Sequence, residues 1–328
     1  MQANRNLTNS HIPLDKKEQI AVNSIRAWFL AARPKTLSGA AVPIMIGTAL
    51  AFKDAGNAIS AIPLALCFLF AFIMQIDANL INDYFDFKHG NDDETRLGPK
   101  RACTEGWITP SAMRHGIFLT TALACMAGLP LVYYGGTTML AIGFACVVFC
   151  FLYTTTLSYL GLGDVLVLIF FGIVPVCLTY YLGLPSGSQT ITLTVFLASV
   201  ACGLVIETLL IVNNYRDIEN DKQNGKKTLA VRIGHKNTEK LYLWCGIVAA
   251  YIMLIPFAIE LFHTQKPLKG MIFLIAFLLY RIAHSKTYAR MKACGQGKAL
   301  NKILGETSRN MLLFGLTQTI ALLIAATA

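Results

Sequence analysis

Residues 190–213 read TITLTVFLASVACGLVIETLLIVN, and Glu207 is the one charged residue in this run. About 20 residues of α-helix cross the roughly 30 Å hydrocarbon core of a bilayer. A run of this length and polarity therefore predicts a membrane-spanning helix. The chain continues at once into NNYRDIEND, residues 213–221, so a cluster of carboxylates is expected at one membrane face.

The composition extends this interpretation to the whole chain. Of its 328 residues, 55% are hydrophobic and 14% are charged, whereas about 25% are charged in ordinary soluble domains. These values exclude a soluble enzyme, a disulfide-stabilised secreted domain and a nucleic-acid-binding module. They predict an all-α integral membrane protein, a bundle of nine transmembrane helices. The predicted spans are 37–52, 59–82, 113–132, 137–157, 164–183, 190–213, 241–262, 268–284 and 308–327.

The net charge of +10 is interpreted as a sign of membrane topology. Lys and Arg collect in the cytoplasmic loops of membrane proteins. Nine spans place 25 of the 28 Lys and Arg residues on one side, in segments 1–36, 84–114, 214–240 and 281–309. We therefore predict an inner-membrane protein whose N-terminus and acidic loops are cytoplasmic. Residues 1–24 are expected to be a polar lead-in, and residues 25–328 a single transmembrane domain.

Two polar segments at the ends of apolar runs resemble each other. The pattern Asn-x-Tyr-x-Asp occurs at residues 82–86 and again at residues 213–217, which is 131 residues later. The copies end the second and the sixth apolar runs, and each is followed by a basic, glycine-containing stretch. This repetition indicates either a duplicated four-helix unit or two segments that converged on one task.

The acidic side chains of these segments suit a divalent metal. Asn213, Asp217 and Asp221 are spaced i, i+4, i+8, which lines one face of a continuing helix. Like charges at this spacing repel, and a helix C-terminus disfavours anions by roughly 0.3–1 kcal/mol, so a positive partner is expected. Oxygen ligands with room for water suit Mg²⁺. The alternative is a solvated acidic loop, which two matching copies disfavour.

A magnesium site of this kind implies a phosphorylated substrate. Mg²⁺ in proteins usually keeps several waters and shares a substrate phosphate, so facing acidic clusters are expected to hold a diphosphate. Nearby basic residues are candidates for its other oxygens, although cytoplasmic loops are basic for topological reasons as well. These candidates are Arg96, Lys100, Arg101, Lys226 and Lys227.

A diphosphate at the mouth of an apolar bundle implies an apolar tail inside it, which is the shape of a polyprenyl diphosphate. Loss of the diphosphate leaves an allylic carbocation, which must be kept from water and captured by an electron-rich acceptor. Aromatic faces stabilise such a cation. The candidates are Tyr84, Tyr153, Tyr180 and Tyr215, and packing is the favoured alternative for Tyr153 and Tyr180.

At these residues the chain resembles the UbiA superfamily of intramembrane prenyltransferases. Within it, the chain is most similar to the menaquinone-pathway branch, the 1,4-dihydroxy-2-naphthoate polyprenyltransferases. The resemblance extends from about residue 25 to the end of the sequence. It is carried by RPKTL (33–37), NDYFDFKHGND (82–92), RLGP (96–99), NNYRDIEND (213–221) and GKKTLA (225–230).

The resemblance implies a nine-helix bundle with Asp-rich motifs at the cytoplasmic ends of helices 2 and 6. It further implies Mg²⁺-dependent transfer of a polyprenyl group from its diphosphate to 1,4-dihydroxy-2-naphthoate. Decarboxylation of the ring would give demethylmenaquinol. The lipid bilayer is the expected surrounding, and neither a nucleic acid nor an obligate protein partner is expected.

The resemblance also implies roles for individual residues. The metal and the diphosphate would be carried by Asn82, Asp86, Asn213, Asp217 and Asp221, with Asp83 and Asp92 assisting. The catalytic acids would be Asp83, Asp86, Asp217 and Asp221, while Arg96 and Lys227 would hold diphosphate oxygens. The family often places a third acid four residues after the second acid of the first motif, where this chain has Gly90. Arg33 and Lys35 are expected to be interfacial anchors.

Two acids lie deeper, one five residues before Asn82 and the other six residues before Asn213. A buried ionisable group costs several kcal/mol unless it faces a cavity or a partner. Our hypothesis is that Asp77 and Glu207 line the acceptor pocket or stabilise the cation. The alternative is packing against polar neighbours such as Gln75 and Asn79.

Two other functions are weighed against this one. A cation-coupled transporter also uses intramembrane acids and duplicated halves, but it places the acids near the midplane, whereas the main acids here lie at one face. Within the prenyltransferases, the acceptor could instead be 4-hydroxybenzoate, haem or a chlorophyll precursor. Only the sequences that flank the two motifs favour the naphthoate.

Overall fold

Helices make up nearly all of the computed structural model, which describes residues 20–90, 96–264 and 267–327. Within these ranges there is no β-strand. The helices are α1 (Ile25–Ala32), α2 (Leu37–Ala55), α3 (Ala61–His89), α4 (Pro110–Gly128), α5 (Leu131–Gly135), α6 (Thr138–Leu152), α7 (Gly163–Val167), α8 (Val174–Gly183), α9 (Leu193–Arg216), α10 (Ile218–Gln223), α11 (Leu229–Thr264), α12 (Pro267–Cys294) and α13 (Leu300–Thr327). Two π-helical turns, Tyr153–Leu157 and Leu168–Ile173, extend α6 and join α7 to α8.

Eight helical segments of the described chain are long and apolar enough to cross a membrane. They overlap eight of the nine predicted spans, and the first begins earlier than predicted, at Ile25. The remaining predicted span, 268–284, lies within α12, which is not among the eight. The chain is thus an all-helical integral membrane protein, and the number nine stays a prediction.

The two acidic motifs lie at the C-terminal ends of α3 and α9. Gly90 ends α3 with a φ of 70°, a left-handed conformation that glycine adopts at little cost, so this position is a helix cap. α9 ends at Arg216, and the backbone leaves the helical conformation at Asp217. The amide of Asp221 still donates to the Asp217 carbonyl at 2.7 Å. The predicted stripe of acids is therefore bent in its middle and not continuous.

α9 lies at the centre of the bundle, where it packs against α2, α8, α11 and α13. Its small side chains Ala198, Ala201 and Cys202 are fully buried, and small residues let membrane helices approach closely. One such close approach is to the π turn before α8. A Cβ added to Gly172 there would lie 2.5 Å from the Cα of Gly203.

Gly172→Ala is expected to lower the free energy of unfolding by about 1–3 kcal/mol, because the obstructing atoms belong to the backbone and cannot move aside. Gly305→Ala is the matched control on α13, since no heavy atom lies within 4 Å of its Cβ position. It is expected to be neutral or slightly stabilising. Thermal unfolding of both variants in detergent checks this, and equal melting temperatures would contradict the close approach.

Candidate active site

An apolar cavity of about 650 Å³ lies in the bundle beside α3 and α9. Asn82 and Cys67, both on α3, line it, and the stretch between them corresponds to about 22 Å of helix. The other lining side chains come mainly from α2, α6, α8 and α9 and are mostly apolar. The cavity has the shape and lining that a long hydrocarbon chain requires.

Both acidic motifs contribute to the lining of this cavity. Asn82 and Asn213, the first residue of each motif, line it together with Tyr153 and Thr154. Thr154 donates its hydroxyl to Asn82 Oδ1. Tyr153 and Thr154 belong to a π-helical turn, a geometry frequent at functional sites. The two motifs therefore share one cavity mouth.

Asp86 connects the two sides of this mouth. Its Oδ2 lies 2.5 Å from Arg101 Nη2, and both side chains are buried. Its Oδ1 lies 3.8 Å from the Nζ of Lys226, which comes from the loop after the second motif. The Lys226 ammonium also lies over the ring of Tyr159, 5.1 Å from its centre. Residues from both motif regions thus meet at one carboxylate.

Asp217 is held by the arginine next to it in the sequence. Arg216 donates Nε to Asp217 Oδ1 at 2.8 Å and Nη2 to Oδ2 at 2.5 Å, which is a bidentate pair. Nη2 also donates to Asn213 Oδ1, and Nη1 donates to Asn301 Oδ1, both at 2.8 Å. Asn301 in turn donates to the Leu97 carbonyl at 2.8 Å. The loop after the first motif is therefore tied to the second motif.

The sequence led us to expect acids without positive partners, and the structure corrects this expectation. Asp86 pairs with Arg101, and Asp217 pairs with Arg216. A buried carboxylate is costly unless it is paired and hydrogen-bonded, so one arginine beside each acidic motif makes the cluster tolerable.

The oxygen atoms at the mouth fit a hard divalent cation. Carboxylates and side-chain amides are ligands that Mg²⁺ accepts, and waters and phosphates complete its shell. Burial and repulsion from the neighbouring Asp217 and Asp86 raise the pKa of Asp221 to about 6, although Lys226 opposes the shift. The positive charge near this carboxylate therefore does not fully compensate its negative charge. In the described ranges no three His, Cys, Asp or Glu side chains form a ready metal cluster, so amides and substrate would have to supply ligands.

Asp83 supports the site and does not line it. Its carboxylate accepts hydrogen bonds from the amides of Ala102 and Cys103 at 2.8 and 2.9 Å, and Arg33 Nη2 lies 4.0 Å away. Both oxygens are taken by the loop that carries Arg101, so the geometry opposes the catalytic role predicted for Asp83. Arg33, predicted as an interfacial anchor, belongs to this support. Asp92, a predicted metal ligand, lies outside the described residues.

The other predicted basic residues differ in position. Lys100 pairs with Glu105, is 60% exposed and lies over the Trp107 ring, so it is not at the mouth. This position does not support its predicted contact with diphosphate. The Lys227 side chain is exposed, and its backbone amide donates to the Tyr159 carbonyl at 2.9 Å.

Arg96 lies close to the second motif. A Cβ added to Gly98 would be 3.2 Å from Arg96 Nη2 and 2.9 Å from Arg216 Nη2, so both guanidinium groups pack on this glycine. Arg96 also donates Nε to the Pro99 carbonyl at 3.0 Å. Of the basic residues predicted from the sequence, Arg101 and Lys226 therefore lie beside Asp86, and Arg96 lies beside Arg216.

Among the residues predicted for an acceptor pocket, Tyr153 lines the cavity, whereas Tyr84 packs in a separate hydrophobic cluster with α1 and α4. Asp77 is fully buried and accepts hydroxyl hydrogen bonds from Thr120 and Thr121 of α4 at 2.5 and 2.8 Å. Asp77 therefore does not line the cavity, and its partners are not the predicted neighbours Gln75 and Asn79, which hydrogen-bond with Thr36.

Glu207 is 5% exposed, lies beside Asp164 and does not line the cavity. Its predicted place in the acceptor pocket is not supported by this position. Tyr180 and Tyr215 are also buried, and each donates its hydroxyl to an acidic side chain, at 2.7 and 2.8 Å. Neither tyrosine lines the cavity.

Sequence reasoning missed three residues of the site. Arg216 was visible, because it stands inside the second motif next to Asp217. Thr154 and Asn301 lie in segments without a motif, and only the folded chain brings them to Asn82 and Arg216. No local pattern in the sequence distinguishes them from other polar residues at helix ends.

The chain is similar to known proteins in sequence and in fold. The model of the "UbiA prenyltransferase family" matches residues 40–298. The 1,4-dihydroxy-2-naphthoate octaprenyltransferase of Escherichia coli is 35% identical over 264 residues, covering 78% of this chain and 82% of the relative. The enzyme of that name from Haemophilus influenzae is 32% identical over 228 residues, covering 67% and 73%.

The solved structure of a UbiA homolog from Archaeoglobus fulgidus, bound to GPP and Mg²⁺, has a similar fold. The TM-score is 0.59 at 16% identity, and the match covers 91% of this chain and 99% of that chain.

Proposed function

Since this chain belongs to the UbiA family and is a membrane prenyltransferase, we propose that it transfers a polyprenyl group from polyprenyl diphosphate to 1,4-dihydroxy-2-naphthoate. The C–O bond to the diphosphate breaks, a bond forms between the allylic carbon and the ring carbon, and the ring carboxylate leaves as CO₂. The products are demethylmenaquinol, diphosphate and CO₂. The naphthoate is favoured over 4-hydroxybenzoate and other acceptors because it is the substrate named for the relatives that match most of the chain.

One observation supports the proposal above all: Asn82 and Asn213 line the same apolar cavity, and Asp86 of the first motif lies 3.8 Å from Lys226 beside the second. A polyprenyl diphosphate has a polar head and an apolar tail, and this arrangement offers a place for each. A protein with its acidic motifs on separate surfaces would not hold such a substrate.

The proposed metal ligands come from both motifs and are Asn82, Asp86, Asn213, Asp217 and Asp221. Mg²⁺ bound there would neutralise the departing diphosphate as a Lewis acid. Arg101, Arg216 and Lys226 lie within reach of the same carboxylates and are proposed to donate to diphosphate oxygens. Charge that develops on the leaving group would thus meet donors that are already in position.

The apolar cavity is proposed to hold the polyprenyl tail and to keep water from the cation. Water in the cavity would convert the substrate to an alcohol, so exclusion of water decides the product. Tyr153 lies at the polar end of the cavity, where its ring can face an allylic cation. The naphthoate is proposed to bind at this end, between Tyr153 and the acidic mouth.

We further propose that the mouth faces the cytoplasm in the inner membrane, which agrees with the concentration of Lys and Arg in loops on that side. Residues 25–328 are proposed to act as one transmembrane domain. The central helix α9 packs against α2, α8, α11 and α13, which supports a single domain.

Removal of divalent metal is expected to abolish transfer, because the mouth then lacks the charge that the diphosphate needs. Chelation with EDTA should reduce the rate to background, and added Mg²⁺ should restore it. The assay measures a labelled polyprenyl group in the quinol fraction of membranes. Undiminished turnover after chelation would contradict a metal-dependent reaction.

The acceptor is tested by offering naphthoate labelled at its carboxyl carbon, with 4-hydroxybenzoate as the competing acceptor. We expect one labelled CO₂ for each quinol formed, and a product mass that equals prenylated naphthoquinol without the carboxylate. Retention of the label in the product, or preference for 4-hydroxybenzoate, would overturn the proposed reaction.

A further inference from the structure

A second groove, polar and separate from the cavity, lies between α12 and α13. Its volume is about 280 Å³. None of its polar residues belongs to an acidic motif or contacts the mouth. They are Lys286, Thr287, Arg290, Glu306, Arg309 and Asn310.

The floor of this groove is buried and built from polar side chains. Asn310 donates Nδ2 to Thr287 Oγ1 at 2.9 Å, and Arg290 donates Nη1 to Glu306 Oε1 at 3.0 Å. Glu306 is 4% exposed, and its Oε2 has no hydrogen-bond partner among the described residues. A buried carboxylate oxygen without a hydrogen-bond donor is energetically costly. A molecule that supplies a donor to this oxygen would therefore bind favourably in the groove.

The rim of the groove is basic. Lys286, Arg290 and Arg309 are exposed, while Glu306 is the one acid that lines the groove. Arg290 is already directed to Glu306, which leaves Lys286 and Arg309 facing the opening. The groove therefore combines two cations at its rim with one hydrogen-bond acceptor at its floor.

The groove lies beside the start of the long apolar part of α13. Arg309 is about 14 Å along α13 from Leu300, and the residues after it, 311–327, are predominantly apolar. Asn301, near the start of the same helix, contacts Arg216, so the groove lies toward the same membrane face as the acidic motifs. Basic pockets between transmembrane helices near a membrane face bind phospholipid headgroups.

We propose that this groove binds a glycerophospholipid whose headgroup carries a hydrogen-bond donor, such as phosphoethanolamine or phosphoglycerol. The lipid phosphate lies between Lys286 and Arg309, and the ammonium or hydroxyl group donates to Glu306 Oε2. A phosphocholine headgroup lacks this donor, because its nitrogen is quaternary and has no hydrogen. The proposal does not depend on the prenyl-transfer reaction, because no residue of the groove belongs to the mouth.

The test is native mass spectrometry of the delipidated full-length protein in detergent, with phosphatidylethanolamine, phosphatidylglycerol or phosphatidylcholine of equal chain length. Wild-type protein is expected to retain the first two lipids about tenfold more than phosphatidylcholine. Only their headgroups can donate a hydrogen bond to the charged carboxylate of Glu306. Glu306→Gln is expected to reduce this preference. The double variant Lys286→Ala/Arg309→Ala is expected to lose retention of all three.

The matched control is Lys236→Ala/Lys240→Ala, which removes two exposed cations from α11 outside the groove. It is expected to retain lipid like the wild type, and both double variants should have the melting temperature of the wild type without lipid. Equal retention of phosphatidylcholine would overturn the role of Glu306. An equal loss in the control variant, or displacement of lipid by millimolar inorganic phosphate, would overturn the groove as a headgroup site.

Discussion

Asp217→Asn is expected to lower the rate of prenyl transfer by at least about 10²- to 10³-fold while the protein still folds and inserts. The substitution keeps the shape of the side chain but removes a charge proposed to bind Mg²⁺. Loss of one preorganised electrostatic contact to a leaving group typically costs this much. Asp86→Asn on the other side of the mouth should have an effect of the same size.

Glu219→Gln is the matched control for Asp217→Asn. Glu219 lies two residues later, on α10, but its side chain is 68% exposed and faces His235 at 3.5 Å. The same loss of charge there should change the rate by less than about twofold, since an exposed pair contributes little. Equal rates for Asp217→Asn and the wild type would contradict the assignment of this carboxylate to the reaction.

Arg216→Lys is expected to reduce kcat/KM by about 10²-fold, because a lysine cannot reproduce the fork of donors that arginine supplies. Arg216 donates to Asp217, Asn213 and Asn301 at once. A lysine would keep the charge but would lose the contact with Asn301. The loop at Leu97, which Asn301 holds, would then also be released. The protein should also lose about 1–3 kcal/mol of stability, since the side-chain acceptors of Asn213 and Asn301 would lose their donor.

Arg114→Lys is the control for this variant, because Arg114 is exposed on α4. It should match the wild type in rate and in melting temperature. A rate for Arg216→Lys within a few fold of the wild type, in a folded protein, would show that the guanidinium geometry is not needed. The measurements are steady-state kinetics and thermal unfolding on the same preparations.

Much of the fold follows from the sequence because membrane helices obey a simple rule of length and polarity. The apolar run at 190–213 corresponds to α9, and the acids follow it as expected. The bend at Asp217 and the left-handed cap at Gly90 were not predicted, since both depend on how the chain leaves a helix.

The acids of the candidate site could be predicted from the sequence, whereas most of their partners could not. Asn82, Asp86, Asn213 and Asp217 stand in repeated patterns, and repetition is visible in one sequence. The partner of an acid depends on tertiary contacts. Lys100 and Arg101 are adjacent and both basic, yet Arg101 reaches the mouth while Lys100 pairs with Glu105.

The deep acids show a further limit. A carboxylate inside an apolar helix is a reasonable candidate for function. Asp77 is nevertheless satisfied by two threonine hydroxyl groups one helix away, and those threonines have no signature in the sequence. Whether a buried acid is functional or structural is decided by such neighbours.

The central claim is that both acidic motifs act on one substrate headgroup, and a double-mutant cycle tests it most directly. Mg²⁺-dependent binding of a non-reactive polyprenyl thiodiphosphate would be measured by calorimetry for the wild type, Asp86→Asn, Asp217→Asn and the double variant. A shared headgroup predicts losses that are not additive, with a coupling energy of about 1 kcal/mol or more. Losses that add within about 0.5 kcal/mol would mean that the two motifs bind independently, which would contradict the claim.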